Sequence, residues 1–194
     1  MARTKEFDPD AALRAALELF WRRGYEATTM ADLVAHLGIG RASIYATFGN
    51  KHELYLKALD RYAASHDPRL LGELSRPGPA LPAVRGVVRR FAAEAASDEK
   101  RLTGCFVTNT AAELAPHDDP AARRVEASWG HLETLLHSAL VRAQAQGELP
   151  EDRDPRALAR MLLVLMQGLR VVGKASGDPA RVRDAAEQAL TLLG

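Results

Sequence analysis

The spacing of apolar residues is the feature that most constrains the fold of this chain. Apolar side chains recur at intervals of three and four residues in segment after segment, for example at Leu13, Ala16, Leu17 and Phe20. This interval places them on one face of an α-helix. The sustained alternation of apolar and polar residues that is typical of strands is absent from the sequence. The pattern therefore predicts an all-α protein.

Aspartate–proline pairs mark where the predicted helices begin. Four of the five pairs directly precede a helical pattern, and they start at Asp8, Asp119, Asp154 and Asp178. An aspartate can cap the first turn of a helix. A proline in that turn costs no hydrogen bond, because a backbone N–H at that position has no partner within the helix. The fifth pair, Asp67-Pro68, follows a helical pattern and is expected to end it. We expect nine helices, over about residues 8–22, 29–36, 41–47, 51–66, 81–97, 103–114, 120–146, 155–173 and 179–192.

The segment from Asp67 to Pro82 contains Arg76-Pro77-Gly78-Pro79 and is the expected linker. It divides the chain into an N-terminal unit, residues 1–66, and a C-terminal unit, residues 67–194.

Composition limits the classes of function. The chain has 26 Lys and Arg against 25 Asp and Glu, so a nucleic-acid partner must be argued from a local motif. The single cysteine excludes an internal disulfide and a cysteine-based zinc site. No apolar run approaches the roughly 20 residues that span a bilayer, and no secretory segment is recognisable. We therefore expect a cytoplasmic protein without a membrane partner. Catalytic and metal-binding motifs are not recognisable either, so we expect no enzyme, cofactor or metal.

Residues 29–48 carry the most informative local pattern. Thr29 can cap a short helix that ends at Leu37, and Gly38 suits the left-handed position after it. A second short helix begins near Arg41. Two short helices joined by a glycine-containing turn form a helix-turn-helix, although a purely structural helical corner has the same spacing.

The wider context distinguishes these alternatives. About residues 11–59 resemble the tetracycline-repressor (TetR) family of bacterial transcriptional regulators. The resemblance rests on three segments in unbroken order: A-x-x-L-F…G-Y-x-x-T-T, then G-I-x-x-x-S-I-Y-x-x-F, then N-K-x-x-L-Y. It implies a dimeric, ligand-responsive regulator, most often a repressor, that binds a palindromic operator and is released by a small organic effector. A helical small-molecule carrier without operator specificity remains the alternative, because the second short helix has few long polar side chains.

The resemblance implies that Thr29, Tyr45 and Lys51 contact DNA phosphates. The chemistry agrees, since a helix N-terminus, a phenol and an ammonium group can each donate to an anion. A half-buried core position for Tyr45 and a solvated position for Lys51 are the alternatives.

The second short helix would enter the major groove. Arg41 is expected to read a base, since arginine can pair bidentately with guanine, and a phosphate contact is the alternative. Ser43 and Thr47 can reach bases or phosphates, and Ala42 can contact a thymine methyl group.

Residues 155–173 are apolar on more than one face, which predicts burial on more than one side. The resemblance implies that the last two helices form half of a four-helix dimer bundle, whereas closure of the core of one chain is the alternative. A twofold dimer would hold two recognition helices one DNA turn apart. The expected interface residues are Leu158, Leu162, Leu165, Leu169, Val182, Ala186 and Leu190.

The C-terminal unit is also expected to hold the ligand cavity, with apolar walls and few polar groups. The candidate lining residues are Phe91, Cys105, Phe106, Asn109, Trp129, Met161 and Gln167. Cys105 lies at a predicted helix start, which favours the thiolate. The resemblance adds that a Gly-Cys pair at this helix recurs in a subgroup with electrophile- or oxidant-sensing members, and an inert buried cysteine is the alternative.

Overall fold

The computed structural model describes residues 7–98 and 102–193, and of residues 66 and 67 it describes the backbone alone. These described ranges contain nine α-helices and no strand, which confirms the all-α prediction. A short 3-10 turn, Ala115–His117, precedes the seventh helix. The helices are α1 (Pro9–Arg23), α2 (Met30–Leu37), α3 (Arg41–Phe48), α4 (Lys51–Leu74), α5 (Ala80–Ala96), α6 (Phe106–Glu113), α7 (Asp119–Ala145), α8 (Pro155–Ala175) and α9 (Pro179–Thr191).

The predicted aspartate caps form at three of the four sites. The side chains of Asp8, Asp154 and Asp178 accept hydrogen bonds from first-turn N–H groups. At α7 the capping residue is Asp118 instead of Asp119, and Asp119 is the first helical residue. The prediction was therefore wrong by one position there, because the preceding residue is also an aspartate and Pro120 tolerates the second helical position.

The fourth helix is longer than the sequence predicts. It continues through Pro68 to Leu74, so the expectation that Asp67-Pro68 ends the helix was wrong. A proline inside a helix removes one hydrogen bond. Packing of the last turn compensates: Leu74 is buried, and its carbonyl accepts a hydrogen bond from Arg142 Nη2 at 2.8 Å. The linker between α4 and α5 therefore comprises only residues 75–79, instead of the expected segment from Asp67 to Pro82. A continuous helix crosses the expected boundary between the two units.

Two clusters of buried apolar side chains hold the helices together. The first is built from α1 to α4 with α6 and the start of α7, and it includes Phe20, Ile44, Tyr55 and Phe106. The second is built from α5, α7, α8 and α9, with Leu74 from the end of α4. Helix α6 thus packs on the N-terminal helices, although it follows α5 in the chain, and α4 contributes to both clusters.

Helices α5 and α8 cross at very short range. A Cβ atom placed on Gly173 of α8 would lie 2.4 Å from the carbonyl oxygen of Ala95 on α5, so only glycine fits this crossing. Within the described residues, no helix is both long enough and apolar enough to cross a membrane. The same residues contain no group of three or more His, Cys, Asp or Glu side chains placed to hold a metal ion.

Candidate DNA-binding surface and ligand cavity

Helices α2 and α3 form the predicted helix-turn-helix. Thr29 caps α2: its hydroxyl accepts from Asp32 N at 3.1 Å, and Asp32 accepts from Thr29 N at 2.9 Å. Hydrogen bonds from Thr29 and from Arg23 lower the pKa of the Asp32 carboxyl to about 2. Gly38 ends α2 in the left-handed conformation, at φ 66°. Ile39 is buried in the turn between the two helices.

Helix α3 divides cleanly into an inner and an outer face. Ile44 and Phe48 are buried, and they attach the helix to the first core cluster. The guanidinium of Arg41 lies 5.7 Å from the ring centroid of Tyr45, and Tyr45 is 42% exposed. Tyr45 is therefore a surface residue and not a core aromatic. The candidate DNA contacts on α3 comprise exposed Arg41, Ala42, Tyr45 and Thr47 and half-buried Ser43.

Lys51 is held in a fixed position at the start of α4. Its Nζ donates to the carbonyl oxygens of Tyr25 and Thr28, both at 3.0 Å, and lies 4.0 Å from the ring centroid of Tyr25. It is therefore not a freely solvated lysine. Asn50 caps α4, accepting a hydrogen bond from Glu53 N at 2.9 Å, so its side chain has a structural role.

A cavity of about 280 Å³ lies among α1, α4, α5, α6, α7 and α8. Four of the seven predicted lining residues are in its wall: Phe91, Cys105, Trp129 and Gln167.

The other three predicted lining residues lie elsewhere. Phe106 packs against Tyr55 and Tyr62 in the first core cluster, with ring centroids 5.1 and 5.8 Å away. The amide of Asn109 donates to the carbonyl of Thr103 and accepts from Lys174. Met161 packs against the second core cluster. Their assignment to the cavity is corrected accordingly.

Several residues that line the cavity are not predicted from the sequence. Trp21 and Tyr62 come from α1 and α4, whereas the sequence predicts a cavity built from the C-terminal unit alone. Arg170 interrupts the apolar run of α8 and lines the cavity, and this interruption is the one signal that could have identified it.

Cys105 is buried and lies at the N-terminal end of α6, in the cavity wall. Burial raises the pKa of its thiol. The charge of Arg170 and hydrogen bonds from Thr108 and Tyr62 outweigh that effect, so the pKa lies below its ordinary value. The geometry is compatible with the predicted thiolate, and a sensing role stays a prediction.

Comparison with known proteins identifies the family. Residues 12–58 match the model for bacterial regulatory proteins of the tetR family, and residues 80–189 match that for the tetracyclin repressor-like C-terminal domain. The chain belongs to the TetR family of transcriptional regulators. It is 37% identical to the uncharacterized HTH-type transcriptional regulator YezE of Bacillus subtilis, over all of both chains. It is 33% identical to the HTH-type transcriptional repressor ComR of Escherichia coli, over 98% of this chain and 90% of the other.

A solved structure extends the likeness to a DNA complex. The chain is 30% identical to a cysteine mutant of the TetR family regulator CifR in complex with 26-base-pair operator DNA, with a TM-score of 0.86 over all of both chains. The similarity thus covers the helix-turn-helix and the C-terminal helices together.

Helix α6 connects the cavity of this TetR family regulator to its helix-turn-helix. At its C-terminal end, the carboxylate of Glu113 accepts from the backbone N–H groups of Tyr25 and Glu26, at 3.1 and 2.9 Å. In the loop before it, the Gly104 carbonyl accepts from Trp21 Nε1 at 3.2 Å. The C-terminal end of the helix is therefore tied to the turn that leads into α2, and the loop before the helix is tied to α1.

The residues expected at the dimer interface mostly fill the core of the single chain. Within this TetR family regulator, Leu158 and Leu165 are half-buried against the second core cluster. The other five, Leu162, Leu169, Val182, Ala186 and Leu190, are at most 3% exposed. The interface assignment is corrected for these five, because a side chain that its own chain covers has no surface left for a partner. The sequence shows that α8 is apolar all round but not which face meets which neighbour.

The opposite face of α8 carries the exposed apolar residues. Val164, Val171 and Val172 are 71%, 53% and 42% exposed. Positions seven and eight residues apart lie on one side of a helix, so these valines form one apolar stripe on the outside of the chain.

Proposed function

We propose that this TetR family regulator is a dimeric repressor that binds a palindromic operator through α3 and is released by a small organic effector in the cavity. In this proposal it acts in the cytoplasm, with DNA binding assigned to residues 1–66 and dimerisation to residues 67–194. Effector binding is assigned to residues 67–194 together with Trp21 and Tyr62 of the N-terminal unit. One observation carries the DNA-binding part. Helix α3 is anchored to the core by Ile44 and Phe48, while Arg41, Ala42, Tyr45 and Thr47 are exposed on its outer side.

Dimerisation is assigned to the outer face of α8. The valine stripe of Val164, Val171 and Val172 is an exposed apolar surface, and such surfaces mark sites of association. Twofold pairing of this face would set two α3 helices at a fixed spacing, and a palindromic operator requires that.

Release follows from the position of α6. An effector touches Cys105 and Val107 at one end of this helix, and Glu113 at the other end holds the turn before α2. A ligand that favours a shifted α6 therefore favours a shifted helix-turn-helix and changes the spacing of the two α3 helices. The ligand lowers operator affinity only to the extent that it binds the DNA-free state better.

The first test is fluorescence anisotropy of the protein with DNA from directly upstream of its own gene, against random DNA, at two salt concentrations. We expect preferential binding whose affinity falls steeply as salt rises, because phosphate contacts release counterions. Equal binding to both DNAs would favour the carrier alternative, once selection from random sequences had also failed to yield a site.

Two variants separate base reading from phosphate contact. Arg41→Ala should relax specificity at one base pair, at a cost of about 1–3 kcal/mol on the cognate sequence. Tyr45→Phe should weaken binding to all sequences equally. Arg89→Ala is the control, because Arg89 lies on α5 and pairs with Glu187 at the surface. A uniform loss for Arg41→Ala would refute its base-reading role.

A further inference from the structure

The charged side chains in the cavity wall do not balance. Arg69, Arg90, Arg170 and Glu94 line the cavity. Arg90 donates to Glu73 at 2.7 Å and to Glu94 at 3.2 Å, and Arg69 lies 2.9 Å from Glu73 and 3.8 Å from Glu94. Two arginines and two glutamates thus neutralise one another. Among the described residues, Arg170 is the one arginine of this wall without a paired carboxylate.

Arg170 is positioned to receive an anion. Its guanidinium lies 4.2 Å from the ring centroid of Phe91, and that contact orients the guanidinium plane. Within the described parts of the chain, no carboxylate forms an ion pair with it. Cys105 hydrogen-bonds to it, and Tyr62 and Glu94 act on it through charge alone. A guanidinium offers several N–H donors in a planar fork, which matches the two oxygens of a carboxylate.

The remaining walls suit a compact apolar body. Trp21, Phe91, Trp129 and Leu132 contribute aromatic and aliphatic surface. The indole Nε1 of Trp129 is buried and has no hydrogen-bond acceptor among the described residues, so a donor in this wall lacks a partner. A volume of about 280 Å³ is just below the usual range for ligand sites, which favours a small molecule.

We propose that the cavity binds a small organic carboxylate with a compact aromatic or apolar body, and that the carboxylate pairs with Arg170. The inference rests on the proposed function in that it takes this cavity as the effector site. The ligand's charge would compensate Arg170, and its body would lie against Trp21, Phe91 and Trp129. Neutral molecules of the same shape would leave the guanidinium without a carboxylate partner in a site that is largely shielded from water, which is costly.

The test is titration calorimetry of the DNA-free protein at neutral pH with three acid–amide pairs: benzoate and benzamide, phenylacetate and phenylacetamide, indole-3-acetate and indole-3-acetamide. Each amide matches its acid in shape and lacks the charge. We expect at least one carboxylate to bind about tenfold or more tightly than its amide, the difference that one charged hydrogen bond supplies. Equal affinities within every pair, or no binding by any of the six compounds, would overturn the proposal.

Variants locate the charge that is responsible. Arg170→Met should abolish the preference for the acid, Arg170→Lys should keep part of it, and Arg89→Met, at an arginine outside the cavity, should keep all of it. If Arg170→Met does not fold, two results still test the proposal. They are the comparison of acid with amide in the unaltered protein and the preference that remains in Arg170→Lys. A preference that survives in folded Arg170→Met would place the anion elsewhere and refute the assignment.

The outcome for the carboxylate is separable from that for repression. Calorimetry without DNA measures the cavity alone, and anisotropy with DNA measures release. A carboxylate that binds through Arg170 but leaves the operator complex intact would contradict the proposed ligand response and leave this inference standing. Operator binding together with equal affinity for acids and amides would contradict this inference and leave the proposed operator binding standing.

Discussion

The turn between α1 and α2 depends on a single residue. Gly24 has φ 86° and ψ 175°, a conformation that is essentially restricted to glycine. A Cβ atom there would also lie 2.7 Å from Oε2 of Glu113, the carboxylate that binds the next two backbone N–H groups. Backbone conformation and the contact with α6 therefore demand the same residue.

Substitution of Gly24 tests both constraints. Gly24→Ala should lower the free energy of unfolding by about 1–3 kcal/mol from backbone strain, and further because Glu113 is displaced. Gly38→Ala is the matched control: Gly38 is also left-handed but has no atom near its would-be Cβ, so it should lose about 1–2 kcal/mol. Urea denaturation measures both. Equal losses would show that Glu113 does not constrain the turn.

The cap of α2 should titrate at unusually low pH. Because the folded pKa of Asp32 is about 2, below the ordinary 3.8, its stabilising effect is complete above pH 4 and is lost as pH falls towards 2. A carboxyl-carbon NMR titration should give that midpoint. Thr29→Ala should raise the midpoint more than Arg23→Gln does, since the Thr29 hydrogen bonds are the larger cause. An ordinary midpoint in the unaltered protein would contradict the capping geometry.

At the scale of the helices, local sequence signals predict where a helix begins better than where it ends. They also predict poorly which other helices it packs against. The caps at Asp8, Thr29 and Asn50 depend on residues within one turn, so the sequence contains them. The passage of α4 through Pro68 depends on burial of Leu74 against helices distant in the chain. Local propensity predicts a break at Pro68, and tertiary packing overrides it.

The crossing of α5 and α8 gives a prediction at this scale. Gly173→Ala should lower the free energy of unfolding by about 1–3 kcal/mol, because the backbone at Ala95 must move to admit the methyl group. Gly86→Ala on α5 is the control: its would-be Cβ meets no atom within 4 Å, so alanine should stabilise the helix by up to about 1 kcal/mol. Stabilisation by both substitutions in thermal unfolding would show that the crossing is wider.

For the whole molecule, the cavity could be anticipated only in part. Phe91, Cys105, Trp129 and Gln167 lie in the half of the chain where the sequence predicts a ligand. Trp21 reaches the cavity from α1 because α6 folds back onto the N-terminal helices, and spacing along the chain carries no sign of that return. The same limit applies to the interface, since an apolar pattern does not distinguish burial within a chain from burial between chains.

The outer face of α8 should control assembly. Val164→Glu places a charge in the valine stripe and should convert dimers to monomers, which light scattering measures as a lower mass. Operator affinity should fall as well, because each monomer then binds its half-site alone. Leu71→Glu is the control, since Leu71 is also exposed, at 46%, but lies on α4. An unchanged dimer mass for Val164→Glu would place the interface elsewhere.

The hydrogen bonds of Lys51 have a consequence for the thermodynamics of DNA binding. A flexible lysine loses rotamer entropy when it meets a phosphate. Lys51 has already lost that freedom on folding, because its ammonium is anchored on the carbonyls of Tyr25 and Thr28. The ammonium group also lies over the ring of Tyr25. In the proposed function, its remaining N–H donor would bind a phosphate. This contact should therefore form with little further ordering, as in a rigid receptor that is already shaped for its ligand.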